Sequence, residues 1–278
     1  LGSGRRGSGA TRLADRTAPA SDGNPEEVIH YIDEFDIPLF LEVAAAFGAT
    51  RYGYVVTPNV DHFIRCHEDA FFRAIYSSAE YVLLDSVFLA RLLRVLKGHR
   101  LTACPGSDVF SELLKRVVSP SDPLVLIGGS PSQAKMIEQA YGLQNLRHWN
   151  PPMGFIRDPI AVEECLRFIE AGSPFRFCFI VVGSPQQEQI AHLLLARGRA
   201  RGLAFCLGAS LDFATGVERR APQWMRHLAL EWLYRLVRNP GRLAGRYLVR
   251  GPRIFSYLRR ARIVSRPIVI FPRDQAVL

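Results

Sequence analysis

Short apolar runs alternate with longer amphipathic stretches through most of this chain. The run "RYGYVVTPN" (51–59) ends in a turn, and Val60 to Ser78 then repeats its apolar positions at helical spacing. "YVLLDS" (81–86) predicts a strand, followed by a helix through Leu96. "PLVLIGGSP" (123–131) predicts a strand entering a glycine turn, then a helix from Ser132 to Tyr141. "FRFCFIVVGSP" (175–185) leads into a helix from Gln186 to about Arg199, and "GLAFCLGAS" (202–210) predicts one more strand. The strands are apolar throughout instead of alternating. That pattern predicts an α/β fold whose parallel sheet is covered on both faces. No internal repeat is visible.

After "LDFATG" (211–216) the rhythm stops. From Pro222 onward the pattern is helical, broken by "NPG" (239–241) and "GP" (251–252), which predicts two or three successive helices. A boundary near Glu218 therefore separates an α/β core, 26–217, from a helical appendage, 218–278. Residues 1–25, rich in Gly, Ser, Ala and Arg, have almost nothing to bury and are expected to form a disordered leader.

Charge sharpens this division. Between Glu218 and Arg266 there are 13 arginines against two acids, Glu218 and Glu231, a balance of +11, while the whole chain carries only +9. Nearly every cation is an arginine, 32 against 3 lysines, so the positive charge comes as planar forks suited to phosphate. Arg235, Arg238, Arg242, Arg246 and Arg250 recur every three or four residues, with Leu233, Leu236, Val237, Leu243, Tyr247 and Leu248 between them. A continuous helix would make them a one-sided cationic stripe, suited to an anionic membrane surface. A solvated helix face and nucleic-acid binding are the competing readings; no helix-turn-helix, RNA-recognition or zinc-finger pattern accompanies the charge. No apolar run has the length of a membrane span, and no secretory signal is predicted. The five cysteines are scattered without a CxxC pair, which predicts buried free thiols in a reducing cytoplasm.

Ligands of parallel α/β sheets bind beyond the carboxyl ends of the strands. The polar residues there are Thr57 and Asn59, Asp85, Gly128 and Gly129, the stretch "GSPQQE" with Gln187 and Glu188, and "GASLD" with Asp212. Arg100, just past the predicted helix that follows Asp85, joins the candidate substrate contacts. Asp85 either caps that helix or acts as a general base. Asp212 has the same two readings, with more weight on structure. The turn at Gly128–Gly129 presents amides to an anion or is simply tight. Gln187 could meet a base or sugar edge and Glu188 a ribose diol, unless both lie on a solvated first helical turn. HExxH, Cys/His metal spacing, GxSxG and DxD are all missing from the sequence. A diphosphate handled here would therefore fall to arginines and helix ends, with no metal or other cofactor expected.

Together these motifs resemble the WecG/TagA/CpsF glycosyltransferase family of bacterial surface-polysaccharide enzymes, over roughly Ile37 to Leu248. The most specific stretch is "RAPQWMRHLALEWLYRLVRNPGRLAGRYL" (220–248). "TPNVDH", "LIGGSP", "GSPQQE" and "LDFATG" match in order and spacing. The resemblance implies a Rossmann-like core and a metal-independent inverting enzyme. Such an enzyme moves a sugar from a UDP-sugar to a polyprenyl-diphosphate-linked saccharide, in exopolysaccharide or other cell-surface polymer synthesis. It implies Asp85 as the base, Thr57 and Asn59 in the active site, and Gln187 and Glu188 on the uridine side. It places Arg235, Arg242 and Arg246 over the diphosphate. It further implies a peripheral position on the inner face of the cytoplasmic membrane, no nucleic-acid partner, and compatibility with homo-oligomers. Three positions depart from the family pattern: "DSVF" (85–88) stands where D-G-x-G is usual, Gln186 where lysine is, and "ASLD" (209–212) where G-A-F-D is. The first suggests the alternative of a member without activity that serves assembly on the membrane.

Overall fold

The computed structural model describes residues 27–266; the expected leader and the last residues of the appendage lie outside them. Strand β1 (Val28–Asp33) opens the chain and leads through the Asp36 cap into α1 (Ile37–Ala46). Next come β2 (Tyr52–Val56), α2 (Val60–Glu68), α3 (Ala70–Ser77), β3 (Tyr81–Val82), α4 (Val87–Lys97) and α5 (Gly106–Arg116). The core continues with β4 (Leu124–Ile127), α6 (Pro131–Tyr141), β5 (Leu146–Trp149), α7 (Pro159–Ala171), β6 (Phe177–Ile180), α8 (Gln186–Arg197) and β7 (Gly202–Cys206). The remaining elements are α9 (Ser210–Ala214), α10 (Gln223–His227), α11 (Glu231–Arg238), α12 (Pro240–Ala244), α13 (Ile254–Arg259) and β8 (Ala261–Arg266).

Six strands form one wholly parallel sheet in the order β3-β2-β7-β6-β4-β5, the expected Rossmann-like arrangement. Every residue of β2, β4, β6 and β7 is buried, because helices cover both faces. On one face Tyr54, Val56, Cys178 and Ile180 pack against Phe72, Ile75, Ile169 and Leu194 from α3, α7 and α8. On the other, Val55, Phe177, Phe179 and Phe205 meet Phe40, Phe110, Leu113 and Ile137 from α1, α5 and α6. All five cysteines are free and buried. Burial pushes the thiols of Cys66, Cys104 and Cys165 up to about 12, so they are packing groups, not nucleophiles.

β4 sends its chain outward to β5, whereas β6 sends its chain the other way to β7. The crevice of such a sheet opens beyond the carboxyl ends of strands that diverge in this way.

The helix expected from Val60 to Ser78 is two helices. Asp69 ends the first and caps the second by accepting from the amides of Phe71 and Phe72 at 2.9 and 3.1 Å. The segment beyond Pro222, expected to be helical throughout, contains a strand, β8. β8 pairs in parallel with β1, Val28 opposite Ala261, because Ala261 and Ile263 alternate inward. With Ile254 and Leu258 of α13 they enter a third core beside Phe63, Ile64, Leu84, Leu89 and Leu93.

Candidate active site

Asp85 lies just past the carboxyl end of β3, the edge strand of the sheet, beside the end of β2. The chain beyond β3 stays extended, with the Leu83 amide donating to Val56 and the Asp85 amide to Pro58, both at 3.0 Å. Ser86, not Asp85, caps α4 by accepting from the Leu89 amide at 3.2 Å, so the capping role considered for Asp85 belongs to its neighbour. Asp85 Oδ1 instead accepts from the Gly106 amide at 2.7 Å, and its other oxygen has no hydrogen-bond partner among the described residues. The fit around Gly106 is close: a Cβ would stand 3.3 Å from Leu207, 3.4 Å from Thr57 Oγ1 and 3.5 Å from Ser210 Oγ. Thr57 Oγ1 donates to the Cys206 carbonyl at 3.1 Å. The ends of β2, β3 and β7 are thereby joined around one carboxylate.

Burial pushes the Asp85 carboxyl up to about 6; the Gly106 N–H opposes this, Glu231 adds to it, and Arg235 and Arg220 oppose it. Three of these influences come from the basic segment, which therefore lies within electrostatic reach of the carboxylate. Its first part is fixed by contacts to the start of α4. Arg91 donates to the carbonyls of His227 and Leu228, and the Phe88 ring meets Trp232 edge-on at 6.4 Å. Phe88 belongs to "DSVF", so that departure from the family pattern supplies an aromatic contact to the segment.

The arginines do not form one stripe. α11 ends at Asn239, before Pro240, and the side chains divide. Arg235 turns inward over the Phe213 ring at 5.6 Å, with Glu218 3.7 Å away. Arg220 pairs with both oxygens of Asp108 and lies 5.8 Å from the same ring. Arg246 donates to Asn59 Oδ1 at 3.2 Å, and Arg250 pairs with Glu68 at 3.0 Å. Arg238 and Arg242 are exposed, and Arg242 has no partner among the described residues. The Nε–H groups of Arg220, Arg235 and Arg246 are buried without a hydrogen-bond acceptor. The Nε–H groups of Arg65, Arg176, Arg197 and Arg226 share this state, so it is the clustering of three of them near the site that matters.

The other predicted positions divide in the same way. Gly128 and Gly129 both have positive φ, 97° and 75°, and a Cβ on Gly129 would come within 2.2 Å of Leu211. Ser130 and Gln133 then close a reciprocal cap on α6. Gln133 Nε2 also donates to Asp212 Oδ1 at 2.9 Å, so Asp212 fastens α9 to α6. Gln187 and Glu188 are 2% and 0% exposed, not a solvated turn. Gln187 Nε2 donates to Glu188 Oε1 at 2.8 Å, and Gln187 Oε1 accepts from the Gly208 amide at 2.8 Å. Burial raises the Glu188 carboxyl above the usual range, against the pull of the Gln187 amide. Arg100 is exposed beyond α4 and makes no contact with the cluster. Gly106, Arg220 and Asp61 escaped the sequence reading. The signals available were the Pro105–Gly106 dipeptide, the first arginine of "RAPQWM" and the acid of "TPNVDH".

The model of the family described as "Glycosyl transferase WecG/TagA/CpsF family" matches residues 30–267. The chain belongs to that family. It is thus a glycosyltransferase of surface-polysaccharide synthesis, acting on a sugar donor and an acceptor. The match spans the α/β sheet and the basic segment alike, so both parts of this glycosyltransferase belong to the family's shared architecture. Among its described residues no helix is long and apolar enough to cross a membrane.

Proposed function

We propose that this glycosyltransferase transfers a sugar from a UDP-sugar, with inversion, to a polyprenyl-diphosphate-linked saccharide, using Asp85 as the base. The observation that carries this reading is the Asp85 carboxylate. One oxygen is fixed by Gly106, the other has no partner, and its affinity for protons is lifted to about 6, near working pH. In the step, Asp85 takes the proton of the acceptor hydroxyl as that oxygen bonds to the anomeric carbon. The bond from that carbon to the UDP oxygen breaks on the opposite face, so a single displacement inverts the centre. Charge growing on the departing diphosphate meets Arg235, Arg242 and Arg246, the first and last of which keep an open buried donor. Thr57, beside Gly106, and Asn59, which holds Arg246, belong to the active site, while Gln187 and Glu188 support the Gly208 turn on the uridine side.

The second part of the proposal is a peripheral position on the inner face of the cytoplasmic membrane. Trp224, Val237, Leu248 and Val249 are between 59% and 72% exposed beside Arg238 and Arg242. An amphipathic surface of this kind suits an anionic leaflet, each nearby cation contributing about 1 kcal/mol. The functional boundary is placed at Glu218, with 26–217 as core and 218–278 as appendage, and self-association of the core is compatible with this division.

The test combines a thermal-shift panel of UDP-sugars with turnover on a lipid-linked acceptor. One donor should stabilise strongly. Asp85→Asn should lower transfer about a thousandfold while UDP binding survives. Undiminished turnover by that variant removes the base assignment, and loss of activity on adding a chelator removes the arginine account of the leaving group.

A further inference from the structure

The strand-end chemistry described above leaves Asp61 without a role, although the basic segment is fastened there closest to Asn59. Asp61 is the second residue of α2 and is 9% exposed. Three guanidinium groups face its carboxylate: Arg65 at 3.4 Å, Arg250 at 3.5 Å and Arg246 at 3.9 Å. None is as close as the roughly 2.7–2.9 Å of a full charge-assisted bond. Together with Glu68, which takes Arg250 and Arg253, two carboxylates thus face four guanidinium groups, and a surplus of positive charge is left beside Asn59. Burial would raise the Asp61 carboxyl, but the guanidinium groups of Arg246, Arg65 and Arg250 outweigh it and hold it below the usual range. His62, next in sequence, is brought down to about 3 by burial and by Arg246, so it adds no further positive charge.

Among the described residues, Arg246 itself is held by two acceptors, Asn59 and Asp61. Asn59 Oδ1 takes one Nη at 3.2 Å while also accepting from the amides of Asp61 and His62 at the start of α2. Its Nε–H remains buried and open. We infer that Asp61 is a positioning residue acting through Arg246. It keeps the guanidinium against Asn59 without saturating it, so that the cation stands ready for the donor's diphosphate. The inference rests on the reading that the segment's arginines meet a diphosphate.

A plain fastening role looks different, and Glu68 provides the comparison. Glu68 takes Arg250, Arg253 and Tyr257 at 3.0, 2.9 and 3.3 Å. It ties down the same segment without touching Arg246.

The experiment is calorimetric titration of the full chain with UDP and, separately, with inorganic pyrophosphate. Asp61→Asn should bind both about tenfold more weakly, and the double variant with Arg246→Gln should be no weaker than Arg246→Gln alone. Asp61→Glu, which keeps the charge but moves it by a methylene, should lose about two- to threefold and carries the same cycle should Asp61→Asn fail to fold. Glu68→Gln should melt earlier yet bind within about twofold of the natural chain. Wild-type-like binding by both Asp61 variants, additive losses in the double variant, or an equal loss in Glu68→Gln would each overturn the inference alone. A natural chain that binds neither UDP nor pyrophosphate would remove the diphosphate reading, and this inference with it.

Discussion

The two halves of the basic segment have similar sequences and opposite structures. Neither α10 nor α11 buries a residue fully, and Trp224, Leu233 and Val237 are exposed while Met225, Trp232, Tyr234 and Leu236 are half-buried. From Ile254 to Arg266, α13 and β8 bury Ile254, Leu258, Ala261 and Ile263 in the third core. Both halves mix arginine with leucine and aromatics, so composition does not separate them. What separates them is a partner: β1 offers an open strand edge to β8, and nothing equivalent faces α11. The far half holds the segment to the fold. The near half rests on the site through arginines, carboxylates and two ring contacts, which a charged ligand can rearrange at low cost.

The largest test of this contrast is a core truncation in the far half. Leu258→Ala should cost about 2–4 kcal/mol of stability, read by denaturant unfolding, because the side chain is 1% exposed among packed neighbours. Arg235→Gln should instead leave the melting temperature within a degree or two and raise the donor KM about tenfold or more. For the same reason, removing everything past residue 217 would confound the two halves, since it strips β1 of its partner along with the arginines.

A smaller effect should appear in the pH profile. With the Asp85 carboxyl raised to about 6, kcat/KM should fall on the acid side of about pH 6 as the base is protonated. The stability sign is the reverse of the usual carboxylate case. The folded protein holds this proton more tightly than the unfolded chain, so stability falls as pH rises from the ordinary carboxylate range through 6. Asp85→Asn should therefore melt higher than the natural chain at pH 8, and the gain should vanish near pH 4. Glu231→Gln should move the acid limb slightly downward, by less than a unit, because Glu231 is one of the groups that raise Asp85. The smallest stability effect belongs to Val237→Ser in the near half, below about 0.5 kcal/mol. Retention on vesicles rich in phosphatidylglycerol should nonetheless drop measurably.

Much of the sheet was legible because its strands are buried on both faces and so are apolar without interruption. Asp85 stood out as an acid closing such a run. Less legible was anything fixed by distant partners. Gln186, Gln187 and Glu188 are three polar residues in a row, which in isolation describe a solvated turn. They read otherwise only when β7 brings the Gly208 amide to Gln187. The arginine spacing was regular, but Asn239 and Pro240 break the helix that would have aligned it. β8 was missed because "ARIVSR" follows directly on helical residues, and only pairing with β1 selects the extended form. α5 was also missed, and with it Gly106, the group that fixes the base.

The pairing of β1 with β8 also bears on how the molecule comes into being. Val28 and Ala261 are 233 positions apart, so that small ribbon is among the most non-local contacts in the chain. During synthesis the six-stranded sheet has all its strands by Cys206, whereas the ribbon waits for Ala261–Arg266. The arginines that face the carboxylate are settled late in the same process. A chain not yet made as far as β8 thus carries a formed sheet and an unfinished site, completed as β8 docks beside β1.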